Sequence, residues 1–340
     1  MRTIRQSSFE LLRIVAILMV VTGHFVRQSG LLESETGING ALNVFLGSGA
    51  RIAVNIFILI GSWFMVDSSF KPSRAVKLYL ETAFYCIPIT LLMVVIGEAG
   101  GARNILQGMM PFLGRPVWFA SAYISLMVLT PFLNMAFLLP AKKQTLLVGL
   151  IAFLYCAVST IPSFSNIDYI ADFSWFCVVY ISVGWAKKNG IIEKLRINRW
   201  FAAASAVVLY AGLCQAAQTP SLSWPANYWL DNIRTLPNIA CAFGMFYFFL
   251  KTDIGSIQFV NYAARSVFAV YIVHQVPAFR EFEWKTLCQA NSLSGLPPTV
   301  YALSIVGVAV AVLIAVTIFD LLRNKLFEAI EARIQKGSAA

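Results

Sequence analysis

The chain contains two histidines, His24 and His274, and these are the first candidates for chemistry. Each lies near the end of a long apolar segment, where an ionisable side chain is costly and is therefore often functional. An imidazole gains and loses a proton near neutral pH, so either residue could act as an acid, a base or a member of a proton relay. The alternative for both is structural: the ring caps a helix or bridges two helices by a hydrogen bond.

The first apolar segment adds Glu10 and Arg13 to His24. Arg13 precedes His24 by eleven residues, about three helical turns, so the two side chains project from nearly one face and lie ~16 Å apart. Glu10 lies three residues before Arg13 and can pair with it. This face predicts the wall of a polar channel. The alternative is an ion pair at the membrane surface, with Arg13 extended towards water.

Polar side chains also interrupt the second apolar segment. Arg51 and Asn55 lie one helical turn apart, which indicates that both face the interior of a helix bundle. Hydrogen bonding between helices is the alternative to a functional role for this pair. Other polar residues inside apolar segments are Asn43, Glu81, Asp231 and Arg234.

The composition indicates which elements position these residues. Hydrophobic residues make up 59% of the chain and charged residues 12%, with a mean hydropathy of +0.72, whereas a soluble domain is about 25% charged. A membrane span needs roughly 20 apolar residues. The sequence therefore predicts an all-α, polytopic integral membrane protein of about ten transmembrane helices. It excludes a soluble enzyme, a secreted disulfide scaffold, a disordered chain and a nucleic-acid binder.

We expect the spans to form a single domain over residues 1–340, because no soluble insertion or low-complexity linker separates them. The ten predicted helices cover residues 8–27, 42–66, 75–97, 117–139, 145–162, 173–187, 199–216, 230–250, 257–279 and 299–322.

The distribution of basic residues predicts the orientation. Of the 26 Lys and Arg residues, 18 lie in loops and segment ends on the side of the N-terminus, five on the opposite side, and three, Arg13, Arg51 and Arg234, within spans. Basic residues accumulate in cytoplasmic loops, so both termini are expected to be cytoplasmic. The net charge of +10 then reflects membrane topology rather than nucleic-acid binding. The six cysteines do not have the spacing of metal ligands, and we expect no metal.

Four segments, in order, resemble the membrane acyltransferase-3 family, whose first motif is an arginine, ten residues and a histidine, here Arg13 and His24. The similar stretches cover roughly residues 8–135 and 262–285. The family's Ser-Gly pair is replaced by Gly61-Ser62, and the R-x-x-R of some members by Arg74-Ala-Val-Lys77. The four segments are F-E-L-L-R-I-V-A-I-L-M-V-V-T-G-H-F, V-N-I-F-I-L-I-G-S-W-F, V-W-F-A-S-A-Y-I-S-L-M-V-L-T-P-F-L-N and S-V-F-A-V-Y-I-V-H-Q.

The resemblance implies an O-acyltransferase of the bacterial cytoplasmic membrane. It would transfer an acyl group, usually acetyl, from cytoplasmic acetyl-CoA to a hydroxyl of an exported or surface polysaccharide or of a lipid-linked saccharide, without a tightly bound cofactor. His24 suits the base that this reaction needs. The residues that we then expect to be catalytic are His24, Arg13 and Glu10; those that bind acetyl-CoA are Arg13, Lys71, Arg74 and Lys77; and those that bind the acceptor are His274, Arg51, Asn55, Trp118 and Tyr123.

Two other functions remain open at this point. A transporter or flippase of glycolipid or polysaccharide intermediates would use the charges in the membrane to bind substrate. A structural or regulatory membrane protein would keep the fold without activity. The sequence leaves open the acceptor sugar and its hydroxyl, the acyl group, the oligomeric state, and whether an acyl-histidine intermediate forms.

Overall fold

The computed structural model describes residues 7–112, 117–162 and 172–337, which are helical and contain no strand; helix makes up 82% of the structure. The prediction of an all-helical membrane protein is confirmed. Arg2, Arg5 and Arg115, which contributed to the predicted orientation, lie outside the described residues.

The helices follow one another with short connections. Irregular helical turns extend several of them: residues Asn134–Leu138 after α6, Phe153–Ala157 between α7 and α8, Ala264–Ser266 between α14 and α15, and Phe282–Leu287 after α16. The α-helices are α1 Ser7–Gln28, α2 Leu31–Ser34, α3 Gly37–Met65, α4 Pro72–Val95, α5 Ala102–Met109, α6 Trp118–Leu133, α7 Ala141–Ala152, α8 Val158–Thr160, α9 Asp172–Lys188, α10 Ile191–Lys194, α11 Arg199–Ala217, α12 Ser223–Asp231, α13 Leu236–Leu250, α14 Gln258–Ala263, α15 Val267–Val273, α16 Pro277–Glu281 and α17 Pro298–Gly337.

Seven helical segments of the described chain are long and apolar enough to cross a bilayer, or eight if α12 and α13 form one bent span. The predicted count of ten spans is not confirmed. The predicted continuous helix 230–250 is wrong, because α12 and α13 meet at 50°. Pro237 lies in the first turn of α13, where its missing N–H and fixed φ suit a helix start rather than a continuation.

The predicted helix 257–279 is also interrupted. It consists of α14, a tighter turn over Ala264–Ser266, and α15, which ends before His274. Pro277 then begins α16. A proline disfavours the helical conformation of the residue before it, and Val276 is extended. The interruption places His274 at the C-terminal cap of α15 rather than inside a continuous helix.

Helix α1 lies at the centre of the bundle, where it packs against α3, α13, α14, α15 and α17. It approaches α3 closely at Gly23. A Cβ atom on Gly23 would lie 2.6 Å from Ala50 Cβ and 2.7 Å from the Gly47 carbonyl oxygen. Small residues at a membrane helix contact allow two backbones to approach closely. The absence of a side chain at Gly23 therefore sets the separation of α1 and α3.

We expect Gly23→Ala to lower the thermal midpoint of the purified protein, since the added methyl group must push α1 away from α3. Overpacking of this kind costs typically about 1–3 kcal/mol. Gly212→Ala is the matched control, because its Cβ would meet no atom within 4 Å and alanine favours a helix over glycine by roughly 1 kcal/mol. Thermal unfolding in detergent measures both. Equal midpoints for the two variants would contradict the close packing.

We expect the N-terminus to be cytoplasmic. Burial raises the pKa of the Cys288 thiol to about 11, so this native cysteine holds little reactive thiolate. Cysteines introduced at exposed positions are better labelling sites. Ser292, which precedes α17, and Ser73, in the first turn of α4, are both exposed. In a Cys288→Ser background, an impermeant maleimide added to intact cells should label Ser292→Cys and not Ser73→Cys. The opposite pattern would reverse the orientation.

Candidate active site

A cavity of about 510 Å³ extends along α1. This volume is within the range of roughly 300–1,000 Å³ that small-molecule sites occupy. Its wall includes Glu10 near one end of α1 and Gln28 at the other. These residues are about 27 Å apart along a helix that rises 1.5 Å per residue, close to the ~30 Å hydrocarbon thickness of a bilayer. One cavity thus follows α1 over nearly a membrane thickness.

The Arg13 end of the cavity, defined by Glu10, Arg13, Leu78 and Arg265, is basic. Arg13 Nη1 is 2.8 Å from Glu10 Oε1, which confirms the predicted ion pair. The Arg13 guanidinium also lies over the ring of Phe64, 5.7 Å from its centroid. These contacts hold Arg13 against the wall, and Arg265 adds a second guanidinium.

The His24 end of the cavity, defined by His24, Arg27, Gln28, Arg51 and Gln275, contains a histidine pair. His24 Nδ1 is 2.8 Å from His274 Nε2, although 250 residues separate them in the chain. The side-chain amide of Gln275 lies 2.7 Å from the same Nδ1. His24 lines the cavity and is half-buried, whereas His274 is fully buried behind it. The alternative of a histidine bridge between helices is therefore also realised, between α1 and the end of α15.

The partner of His274 determines the tautomer of the pair. His274 Nδ1 lies 2.5 Å from the Val270 carbonyl oxygen. A carbonyl oxygen only accepts, so we assign the His274 proton to Nδ1. Its Nε2 then accepts from the Nδ1–H of His24. With Nδ1 protonated, the Gln275 amide is assigned with its oxygen towards this N–H, because an amide nitrogen would need Nδ1 to accept. Within the described residues, both hydrogen bonds of His24 involve Nδ1. The Nε2 lone pair of His24 is left for a ligand in the cavity.

Aromatic rings line the cavity between its two ends. Phe119 stacks on Tyr123 at 5.9 Å between centroids and meets Phe57 and Tyr271 edge-on at 5.9 and 5.5 Å. We call these four residues the aromatic waist; all of them line the cavity. Gly61 makes the packing possible, because a Cβ there would lie 2.6 Å from the Tyr123 hydroxyl oxygen.

The Tyr271 hydroxyl accepts a hydrogen bond from the Phe119 backbone N–H at 3.1 Å. Phe119 is in the first turn of α6, where backbone N–H groups lack partners within the helix. Since the oxygen accepts this bond, the Tyr271 proton remains for donation to another group. The waist thus contains one oriented hydroxyl donor among apolar rings.

The model of the family described as an acyltransferase domain, Acyl_transf_3, matches residues 6–317. The chain belongs to the acyltransferase-3 family. Comparison with curated proteins and with solved structures finds no match. Together with the membrane helices, the family establishes a multi-pass membrane acyltransferase.

The structure of this acyltransferase brings part of the predicted site together. Among the predicted site residues, those that line the cavity are Glu10, Arg13, His24, Arg51, Trp118 and Tyr123. His274 contacts the cavity only through His24. Six predicted residues from α1, α3 and α6 thus share one cavity.

Asn55, predicted to bind the acceptor, does not line the cavity. Its Nδ2 donates to the Ile233 carbonyl oxygen at 2.7 Å and to Asn238 Oδ1 at 2.9 Å. Its Oδ1 accepts from Trp175 Nε1 at 2.8 Å. The fully buried amide therefore joins α3 to α9 and to the bend between α12 and α13, which is the interhelical role left open above.

Lys71, Arg74 and Lys77, predicted to bind acetyl-CoA, are exposed near the start of α4 and do not line the cavity. Leu78 does. Arg74 lies one helical turn before Leu78 on the same face of α4. These residues border the cavity of the acyltransferase rather than form it.

The sequence did not single out several residues of the acyltransferase cavity as site residues. The sequence contained a signal for Gln275, because this residue directly follows the candidate site residue His274. Arg27 and Arg265 lie near the ends of apolar segments and contributed only to the predicted orientation, because a terminal arginine has the same pattern in a loop and in a site. Cavity residues without an earlier assignment include Arg27, Gln28, Phe57, Phe119, Arg265, Tyr271 and Gln275.

Proposed function

We propose that the protein transfers an acetyl group from cytoplasmic acetyl-CoA to a hydroxyl of an exported or surface polysaccharide, or of its lipid-linked precursor, in the bacterial cytoplasmic membrane. One observation carries the proposal: a single cavity contains the basic Arg13 end, the aromatic waist and the available Nε2 of His24. Donor and acceptor can enter from opposite sides of the membrane and meet inside the protein.

The donor fits the Arg13 end. The phosphates of CoA are anionic, and guanidinium groups form strong charge-assisted hydrogen bonds with phosphate. Arg13 and Arg265 line this end, and Arg74 borders it. The uncharged pantetheine arm then extends past the aromatic waist, which brings the thioester to His24. Acetyl-CoA acts as a co-substrate and leaves as CoA.

His24 Nε2 takes the proton of the acceptor hydroxyl, and the hydroxyl oxygen attacks the thioester carbonyl carbon. The Tyr271 hydroxyl is oriented to donate to the oxyanion that develops there. The carbon–sulfur bond then breaks, and the CoA sulfur receives the proton from His24. His274 keeps the Nδ1 proton of His24 in place throughout, so that Nε2 remains the basic atom.

We expect Arg265→Gln to weaken acetyl-CoA binding, because it removes a guanidinium from the Arg13 end. Loss of a charge-assisted hydrogen bond costs about 1.5–3 kcal/mol, roughly 10- to 150-fold in affinity. Titration calorimetry of the purified protein measures the change. Arg199→Gln is the control, an arginine whose guanidinium donates to the Lys251 carbonyl oxygen away from the cavity.

Arg74→Ala combined with Lys77→Ala should weaken donor binding less than Arg265→Gln, since both side chains are exposed and salt screens them. A larger effect of this double variant would move the donor site to the start of α4. Unchanged binding in Arg265→Gln would contradict the Arg13 end as the donor site.

We expect His24→Gln to lower the rate of acetyl transfer by ~10²–10⁴-fold, because glutamine keeps the size and hydrogen bonding but cannot act as a base. Binding of acetyl-CoA should be nearly unchanged. His274→Gln should cost less, since an amide oxygen can still accept from His24 Nδ1–H. The measurement is release of CoA by membranes supplied with acceptor and labelled acetyl-CoA. A wild-type rate in His24→Gln would refute the base, and glycolipid transport without CoA release would refute the reaction.

A further inference from the structure

The hydroxyl group of Tyr123 differs in its surroundings from those of the buried tyrosines. Tyr123 is half-buried and lines the cavity, and its hydroxyl makes no hydrogen bond to any residue that the structure describes. Its proton can therefore be donated to a molecule in the cavity. Each buried tyrosine of the described chain does use its hydroxyl in a hydrogen bond; these are Tyr85, Tyr180, Tyr247, Tyr271 and Tyr301.

The packing of α6 against α3 places this hydroxyl on the Arg13 side of the aromatic waist. The Tyr123 ring stacks on Phe119, and its hydroxyl oxygen lies beside Gly61, where a Cβ atom would be 2.6 Å away. Gly61 also lines the cavity. Phe64, three residues later on α3, lies under the Arg13 guanidinium. The hydroxyl thus lies between Phe119 and the end of the cavity that is assigned to the donor.

Tyr271 provides the second hydroxyl of the aromatic waist, on the side of the histidine pair. Its ring centroid is 6.1 Å from that of His274, and its hydroxyl oxygen accepts from the Phe119 backbone. The two phenylalanines of the waist have no side-chain hydrogen-bonding group. A molecule that extends from the Arg13 end to the histidine pair therefore passes Tyr123 first and Tyr271 second.

The pantetheine arm of acetyl-CoA carries its amide groups between the phosphates and the thioester. An amide that leaves water for an apolar site is costly unless it finds a hydrogen-bond partner there. When the phosphates lie at the Arg13 end and the thioester lies near Tyr271, an amide of the arm lies at the aromatic waist. An amide carbonyl oxygen accepts a hydrogen bond, and the Tyr123 hydroxyl can donate one.

We propose that the Tyr123 hydroxyl donates a hydrogen bond to an amide carbonyl oxygen of the pantetheine arm, and that this bond sets how far the arm extends into the cavity. The inference rests on the proposed function, which supplies the donor and its direction. The two tyrosines then act in succession along the arm: Tyr123 holds an amide, and Tyr271 meets the thioester. Tyr123 thereby makes the protein selective for donors with a pantetheine arm.

Two other roles of Tyr123 predict different results. If Tyr123 binds the acceptor, as the sequence predicts, loss of its hydroxyl raises KM for the acceptor and leaves donor binding unchanged. If the residue only packs, its ring is what matters, and phenylalanine retains the ring. A change in packing would also affect every donor equally. Donors with and without amides in the arm therefore separate the three roles.

The test compares two donors with the full-length protein in lipid nanodiscs. One is acetyl-CoA, and the other is an analogue in which an ethylene group replaces each amide of the arm. Titration calorimetry measures both dissociation constants. We expect Tyr123→Phe to weaken acetyl-CoA binding roughly 5- to 100-fold, because an amide carbonyl is left in the waist without its donor. Binding of the amide-free analogue should be nearly unchanged.

A control variant and a spectroscopic measurement accompany the titrations. Tyr180→Phe removes a buried hydroxyl that donates to Asn134 Oδ1 and does not line the cavity, so it should weaken neither donor. Isotope-edited infrared spectra of acetyl-CoA labelled at its amide carbonyls report the bond in the unmodified protein. We expect the band of one bound carbonyl to lie below its position in an apolar solvent and to rise in Tyr123→Phe.

An equal effect of Tyr123→Phe on both donors, unchanged acetyl-CoA binding, or an amide band at its apolar-solvent position overturns the inference. Release of CoA by that protein in the presence of acceptor would still support acetyl transfer. Amide-selective binding that depends on Tyr123, without release of CoA when acceptor is added, supports the site for the arm and refutes the proposed function instead. Binding of neither donor overturns both.

Discussion

The close contact of α1 with α3 at Gly23 is the constraint on which the site depends. Because no side chain separates the two backbones there, the next residue, His24, lies beside α3 and the cavity. From this position its Nδ1 reaches His274 at the end of α15, 250 residues later in the chain. The interruption after α15 is equally necessary, since it directs the His274 ring towards α1. Two local backbone features thus bring together one hydrogen-bonded pair.

Charged groups in the apolar interior have one of two arrangements. Outside the cavity they compensate one another: Arg323 donates to Glu81 at 3.1 Å and to Asp320 at 2.8 Å, and Tyr85 donates to Asp320 at 2.5 Å. This buried network joins α4 to α17. Along the cavity, by contrast, arginines outnumber acidic residues. A compensated network of this kind stabilises a helix contact, whereas an excess of arginines along a cavity wall gives that wall a positive potential.

Helical periodicity was enough to predict that Arg13 and His24 share a wall, because both lie on one unbroken helix. The same reasoning correctly placed Arg51 and Asn55 in the interior of the bundle but did not distinguish their surroundings. The two residues lie one turn apart on α3 but contact different groups. Asn55 donates hydrogen bonds to the Ile233 carbonyl oxygen and to Asn238 Oδ1, whereas Arg51 lines the cavity. Which groups meet across helices depends on tertiary packing, and the spacing of residues within one segment carries no information about that packing. Pro237 and Pro277 are local sequence signals for the two helix breaks. The prediction missed these breaks because each proline lies within an apolar segment long enough to be one span.

A cavity that follows α1 for nearly a membrane thickness has an energetic consequence for the cell. A water-filled path through a bilayer conducts protons and metal cations and dissipates the membrane potential. Arginines along a pore raise an electrostatic barrier to cations, and apolar constrictions oppose continuous water. The arginines and the aromatic waist of this cavity provide both features. The arginines and aromatic rings that line the cavity therefore also oppose a leak of cations along it.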